Sequence, residues 1–571
     1  MKHDRRPPSM REKDPGIIPF LRQCIKNEKK LFTVTVTLTL LLTGLGLVTP
    51  KVLSEAIDWI PRIGIDKTIG ELLLLLLLGF GLYLLQSVLS ACEEIKSSTL
   101  FLKVASHMRK AYFKKITSAS MSYLDSSRHG DLISRGTNDL ETVVKLLSET
   151  LLKIISCTVL FVGCMVIMLC VSWQLAMIAL ASTVVTFLTT LLLGGFIRKH
   201  ASRQQVLLGN INGFLEDSLS VLKSIKLYNR EKYVAKRFSR QSEKLKKETI
   251  ATLSWMSVVT PINNFIGNIN FLCIAIFGGI MAISGNNAVT VSTIVLFVLY
   301  IREFTETLND LSEVLSETQV AVKAANRYIE VLNAPDEISV DTDKTVTNGD
   351  VVLENVRFSY VQDKEVLSGV DLQIRSGQCV AIAGASGCGK TTLIQLLLRL
   401  YDADSGSIRI GGTDIKDLSL DELRKNIIAI MQDDIIFDET LAYNIWLDAN
   451  ENTARGFEND LSLDANFNVE HLSRGQMQKI CVMRAFSARA KIIVLDESMS
   501  LVDPLTYEKL FNQLREMFPT ATFITITHQL SCLRMCDQIF YLSNGKIEEQ
   551  GTFDQLVSQK GAFYTMLKNE E

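Results

Sequence analysis

What the chain lacks narrows the field first. It has no basic excess: 60 Lys and Arg stand against 62 Asp and Glu, a net charge of −2. A chain whose main partner is nucleic acid needs such an excess to neutralise phosphates, so no nucleic-acid partner is expected. There is no regular cysteine framework either. The eleven cysteines are scattered, and Cys157, Cys164, Cys170 and Cys273 lie inside apolar runs. Reduced thiols are therefore expected and no structural disulfide. The N-terminus lacks the small-residue cleavage site of a secretory signal. MKHDRRPPSMREK leads through a short amphipathic segment, Gly16 to Lys30, into an apolar run too long for a signal core.

What is present is an uneven distribution of apolar residues. Hydrophobic residues make up 47% and charged ones 21%, with a mean hydropathy of +0.21. That is too apolar for an ordinary soluble enzyme and too charged for a chain buried in membrane throughout, so a membrane half and a soluble half are expected. Six apolar stretches precede residue 310, near 32–58, 69–92, 151–173, 175–197, 251–284 and 288–305. Each can hold the ~20 residues of a spanning helix. Lys and Arg crowd the N-terminus and the segments 95–150 and 198–250, which places both termini and both long loops in the cytoplasm. Leu100 to Thr117 and Gly209 to Lys247 keep helical periodicity, so the membrane helices are expected to run on by roughly 35 Å. Asn263, Asn264, Asn268 and Asn270 in the fifth stretch suit either interhelical hydrogen bonds or a polar passage. No acid or base is read at mid-membrane, and no proton relay is expected.

After Ser316 the chain becomes more polar, and the pattern from Val351 is β-rich before strands and helices alternate. CVAIAG, ending at Gly384, enters GASGCGKTT and then the apolar helix LIQLLLRL. Gly384, Gly389, Lys390 and Thr391 fit G-x-x-x-x-G-K-[ST] between a strand and a helix. The glycines let backbone N–H groups curl around phosphate oxygens, together with Ser386, Gly387, Cys388 and Thr392. Lys390 balances the β/γ charge, and the Thr391 hydroxyl suits Mg²⁺. KIIVLDE ends a second apolar strand in Asp496, placed for the metal, and Glu497, placed to polarise a water. A third strand, FITITH, ends in His528.

These motifs together resemble the nucleotide-binding domain of an ATP-binding cassette protein. The whole chain resembles a half-transporter of the six-helix, domain-swapped ABC exporter type. The resemblance implies ATP and Mg²⁺ as ligands, Tyr360 of RFSY stacked on adenine, and Gln432 of MQDD as the Q-loop glutamine that also senses the metal. It implies LSRGQ, with Ser473, Gly475 and Gln476, as the signature that meets ATP on the partner cassette. Asp503 of SLVD would form the D-loop, and His528 would be the switch histidine. Catalysis would then rest on Glu497, His528, Lys390 and Gln432. MSYLDSSRHGDLISRGTNDLETV and SLSVLKSIKLYNRE resemble the two cytoplasmic loops whose short coupling helices rest on the cassettes.

Three departures from that pattern stand out. Arg474 replaces a glycine; beside a cap at Ser473 it is the first helical residue, where arginine costs little. Only residues 445–471 separate Asn444 from Leu472, which implies a shortened helical subdomain, and DANFNVEH stands where a Gly-Glu-Arg-Gly turn is common. Val221 replaces a glycine in the second loop. Cys388 has two readings: a thiol activated by the helix N-terminus and Lys390, or a small filler.

The expected architecture is multi-domain: an all-α six-helix transmembrane domain with long cytoplasmic extensions, then an α/β P-loop NTPase cassette with an antiparallel β subdomain. Residues 1–31 would be a cytoplasmic segment with an amphipathic elbow helix, 32–316 the transmembrane domain, 317–350 a linker and 351–571 the cassette. The expected activity is ATP-driven export of a drug, lipid or small peptide across the plasma membrane by a homodimer, or by a pair with a related half-transporter. With about thirty residues ahead of the first span, no substrate-cleaving peptidase domain is expected there. The alternative is a weakly hydrolysing, nucleotide-sensing subunit of a heterodimer; an ATP-gated channel is disfavoured because no continuous pore charge is present.

Overall fold

The computed structural model describes residues 17–60, 68–283, 289–361, 364–431, 436–446, 476–477, 480–481, 483–484, 490–496, 504–527 and 529–570. Two compact units result. One comprises residues 1–116 and 130–333, the other residues 117–129 and 334–571.

The first unit is helical. A short helix α1 (Ile17–Lys26) is amphipathic, burying Phe20 against Tyr328 with ring centroids 5.6 Å apart. Six long helices carry the six apolar stretches: α2 (Lys29–Trp59), α3 (Ile69–Ser118), α5 (His129–Val171), α6 (Trp173–Ser220), α8 (Glu231–Ile283) and α9 (Val291–Leu332). Among the described residues, α2, α3, α5 and α8 are long and apolar enough to cross a membrane, and α6 adds the apolar segment Trp173–Thr186. The 50 residues of α3 extend about 75 Å, well beyond the ~30 Å hydrocarbon layer.

Bilayer chemistry explains why so threonine-rich a segment as α2 remains helical. Thr33, Thr35, Thr37, Thr39, Thr43 and Thr49 each donate a hydroxyl to a carbonyl one turn earlier, so these hydroxyls need no water. In the lower part of this unit, Leu100, Val104, Tyr112, Leu140, Val143 and Tyr328 form a buried cluster. There α5 carries two π-helical stretches, Arg135–Asp139 and Leu146–Thr150. Arg135 joins Asp131 at 2.8 Å and Glu330 at 2.9 Å, and Asp139 pairs with Arg327.

Two sequence expectations change here, and one that was open divides. The helix α9 runs through Leu332, so the first half of the expected 317–350 linker is helical; AVKAANRYIEVL has no breaker before Asn333-Ala334-Pro335. The four asparagines divide: Asn263 and Asn270 are buried, whereas Asn264 and Asn268 are exposed. An acid does reach mid-membrane. Tyr300 donates to the Leu47 carbonyl at 2.6 Å, and Phe304 stacks on Phe161 at 4.5 Å, so Glu303 lies level with the middle of α2 and with Phe161, half-way along the apolar stretch 151–173 of α5. The composition of stretch 288–305 hid this, because the charge sits near its end.

The second unit holds two sheets. β1 (Val351–Phe358), β2 (Leu367–Ile374), β4 (Ser405–Ile410) and β5 (Thr413–Asp414) form an antiparallel sheet in the order β2-β1-β4-β5. β3 (Cys379–Ala383), β6 (Ile427–Ile430), β7 (Ile492–Asp496), β8 (Thr522–Ile526), β9 (Gln538–Ser543) and β10 (Lys546–Gly551) form the other, ordered β10-β9-β3-β8-β7-β6. Only the β9–β10 pair in it is antiparallel. Every residue of β3, β7 and β8 is buried, as continuous apolar runs in a parallel sheet require. The expected helical subdomain, around 447–475, lies outside the described residues.

Candidate nucleotide site

β3 is the central strand from which the phosphate loop departs. The loop is followed by helix α10 (Lys390–Leu397), capped by Gly389 with φ 109°. Gly384 and Gly387 also have left-handed φ values, 155° and 80°. At Gly384 the close approach is as strict as the dihedral: a Cβ would meet the Leu542 carbonyl oxygen at 2.2 Å. Ala385, Ser386, Gly387 and Thr391 are exposed, while Gly389 and Thr392 are buried. A turn of exposed backbone at a helix N-terminus is suited to an anion, because unpaired N–H groups and the helix dipole converge there.

The Lys390 ammonium folds across this turn, donating to the carbonyls of Gly384 at 2.7 Å and Ala385 at 3.0 Å. These neutral acceptors are weaker partners than phosphate oxygens, so the lysine can exchange them for the ligand. Register places the acid beside it. Ile526 pairs with both Ile382 and Asp496, so the carboxyl end of β7 stands level with that of β3, two strands away. Asp496 is buried at that edge, where open α/β sheets bind ligands. Among the described residues no group of three or more His, Cys, Asp or Glu could hold a metal ion. One carboxylate and one hydroxyl, Asp496 and Thr391, instead suit Mg²⁺ bound largely through substrate phosphates.

Tyr360 is held at the loop's flank. Its hydroxyl lies 3.1 Å from Thr392 Oγ1 and donates to Gln395 Oε1. Phe358 and Tyr401 contact it edge-on, at 4.9 and 5.2 Å between centroids. Gln395 was not legible as a partner, because nothing in LIQLLLRL marks it apart from a solvated face. Cys388 resolves toward the filler reading. Burial pushes its thiol up, and nearby Lys390 offsets that only in part. Desolvation outweighs the Lys390 charge and the backbone hydrogen bonds at this thiol, which favours its protonated form.

The remaining expected site residues fall elsewhere. Gln432, Ser473, Gly475, Glu497, Asp503 and His528 lie outside the described residues, as does Arg474. Gln476 is described as helical and half-buried. A contact that the sequence did not reveal links α4 (Met121–Ser126), in the loop between α3 and α5, to the cassette: the Tyr401 hydroxyl donates to Asp125. The two residues are 276 positions apart, beyond any local pattern.

Comparison with known proteins agrees with this geometry. Residues 32–308 match the family described as ABC transporter transmembrane region, and residues 367–500 the family described as ABC transporter. The chain is 31% identical to the ABC transporter ATP-binding protein YfiC of Bacillus subtilis, over 95% of this chain and 92% of that one. It is 28% identical to a fatty acid ABC transporter ATP-binding/permease protein of Mycobacterium tuberculosis, over 98% of both. An ATP-dependent lipid A-core flippase of Syntrophus aciditrophicus is also 28% identical, over 85% of this chain and 83% of its own. Among solved structures, a bacterial Atm1-family ABC exporter with ATP bound shares the fold with a TM-score of 0.79 at 20% identity, covering 95% of this chain and 98% of that one. A transmembrane region and an ATP-binding cassette fused in one chain make this protein a member of the ABC transporter family, an exporter-type ATP hydrolase coupled to transport.

Proposed function

We propose that the protein exports a hydrophobic or amphipathic substrate across the plasma membrane, as a dimer that alternates access at the expense of MgATP. The observation that carries this reading is the phosphate loop itself. Three left-handed glycines turn exposed backbone toward one face, and the buried Asp496 carboxylate stands at the same sheet edge. In this reading the loop from Gly384 to Thr392 and Lys390 bind the phosphates, and Tyr360 stacks on the base. Thr391, Gln432 and Asp496 would hold Mg²⁺, whose chemistry when bound is to neutralise charge on the β- and γ-phosphates. Glu497 would polarise the attacking water and His528 would serve as the switch histidine, while Ser473, Gly475, Gln476 and Asp503 would complete the site of the opposite cassette. Both termini lie in the cytoplasm.

Dimerisation draws support from α7 (Leu222–Leu227), the short helix of the second cytoplasmic loop. None of its residues is buried, and Leu227 and the adjoining Tyr228 are 74% and 76% exposed. A basic, cytoplasmic loop has no lipid to cover such a face, and a second copy's cassette is the partner that would. The deciding experiment is MgATP hydrolysis by the protein alone in lipid nanodiscs, beside Glu497→Gln. Steady turnover abolished by the substitution supports a self-sufficient homodimer. Turnover no higher than that of Glu497→Gln would overturn it in favour of a heterodimer subunit.

A further inference from the structure

Three acids of α9 recur at intervals of seven, Glu303, Asp310 and Glu317, and therefore form one stripe along the helix. The stripe faces α5. Glu317 pairs with Lys145 at 2.8 Å, and Asp310 pairs with Lys153 at 3.4 Å. One step further up, the pattern breaks. The positions on α5 that would continue the series, Leu160 and Phe161, carry no charge, and Phe161 stacks on Phe304. Among the described residues, the Glu303 carboxylate has no ion pair and no hydrogen bond.

The two other charges on this turn do not compensate it. Arg302 and Glu306 take each other up at 3.3 Å and are 79% and 61% exposed, leaving one net negative charge, that of half-buried Glu303. Its depth has been fixed by the Tyr300–Leu47 bond and the Phe161–Phe304 stack, at the middle of two spanning helices. A charge held there without a partner is expensive, and exposed charges beside it require water rather than acyl chains. Lipid cannot therefore be what this turn of α9 faces.

We propose that Glu303 is a specificity-determining residue, the carboxylate that receives the cationic group of an amphiphilic cargo in a water-filled cavity lined by α9. This rests on the export reading above and narrows its substrate class. An anionic amphiphile of equal size and hydrophobicity is excluded by the net charge of the turn. Aliphatic and aromatic surface supplies the remaining contact without regard to charge.

The test uses two ions of nearly the same shape and opposite sign, tetraphenylphosphonium and tetraphenylborate. Equilibrium binding of each is measured to the full chain in neutral-lipid nanodiscs, without nucleotide, with empty nanodiscs subtracted. The native protein should bind the phosphonium and discriminate against the borate. Glu303→Gln should weaken phosphonium binding by about tenfold or more, the scale of one lost charge-assisted contact, and strengthen borate binding, because the excluding charge is gone. Glu303→Asp, which keeps the charge, should retain most of the affinity. Equal binding of both ions by the native protein would overturn the assignment, as would unchanged phosphonium binding in Glu303→Gln or equal losses in Gln and Asp. Basal MgATP hydrolysis of the native protein reads the export proposal separately: its absence sinks that reading whatever the ions do, and an unchanged thermal unfolding temperature shows that both variants are folded.

Discussion

Gly384 and Gly387 share a loop and a left-handed φ, yet alanine should act differently at each. At Gly387 a Cβ meets nothing within 4 Å, so only the dihedral is penalised, by about 1 kcal/mol. At Gly384 the Leu542 carbonyl oxygen at 2.2 Å adds a clash with backbone, and the expected cost is about 2–4 kcal/mol. Thermal unfolding of the two variants should separate them by several degrees, and a fluorescent ATP analogue should lose binding to Gly384→Ala in particular. Equal unfolding temperatures would show that the loop yields. Cys388 gives a pH test whose sign follows from its raised pKa. Its thiolate is scarcer at neutral pH than that of an ordinary cysteine, so maleimide labelling should be slow at pH 7. It should climb about tenfold per pH unit, through the usual cysteine value and beyond. Peptide mass spectrometry across pH 7 to 10 follows it, and a plateau below about pH 8.5 would contradict the burial argument.

At the scale of elements, α4 shows how a segment can belong to one half of the sequence and the other half of the fold. Residues 117–129, from the end of α3 to the start of α5, pack within the compact unit of the cassette. Ser120 N–H donates to the Pro335 carbonyl at 2.9 Å, the Ser118 hydroxyl to Asp336 at 2.7 Å, and the Tyr401 hydroxyl to Asp125. Burial and then the Asp125 carboxylate push the Tyr401 hydroxyl well above its ordinary pKa, so it stays a donor throughout the working pH range. Tyr401→Phe removes that single bond while keeping the ring against Tyr360. Basal hydrolysis should persist within about twofold, while stimulation by cargo should fall severalfold, since one side-chain hydrogen bond is worth about 1 kcal/mol. Unchanged stimulation would deny the bond a role in coupling. The sequence made α4 legible only by resemblance; its bonding partners, hundreds of positions away, were not. By contrast, the strands β3 and β7 and the loop between β3 and α10 were legible from local pattern alone, because burial on both faces and glycine at left-handed positions are written in consecutive residues. Glu303 shows the opposite case: membrane depth is a property of neighbouring helices, and stretch 288–305 alone could not supply it.

The whole molecule must account for apolar surface that a single chain leaves uncovered. Leucines along the upper part of α3, among them Leu73, Leu74 and Leu77, are exposed, and acyl chains cover these at no cost. The same argument fails around α7, where Leu219, Val221, Leu222, Leu227 and Tyr228 are exposed in a segment rich in Lys and Arg, which the export reading proposed above keeps out of the bilayer. Water is a poor neighbour for a contiguous patch of this kind, and at roughly 25 cal/mol per Å² its burial would favour association. Native mass spectrometry should then find two chains of 63.8 kDa per assembly. Replacing Leu227 and Tyr228 together by serine should leave each cassette able to bind ATP, because neither residue lies near the phosphate loop in sequence or belongs to its unit. It should reduce cargo-stimulated turnover by about tenfold, the scale of two lost apolar contacts. If the doubly substituted protein is stimulated as well as the native one, the patch is not what carries force between copies. If the native protein is a single chain in the nanodisc, the partner is a different half-transporter, and the same patch is the surface with which to capture it.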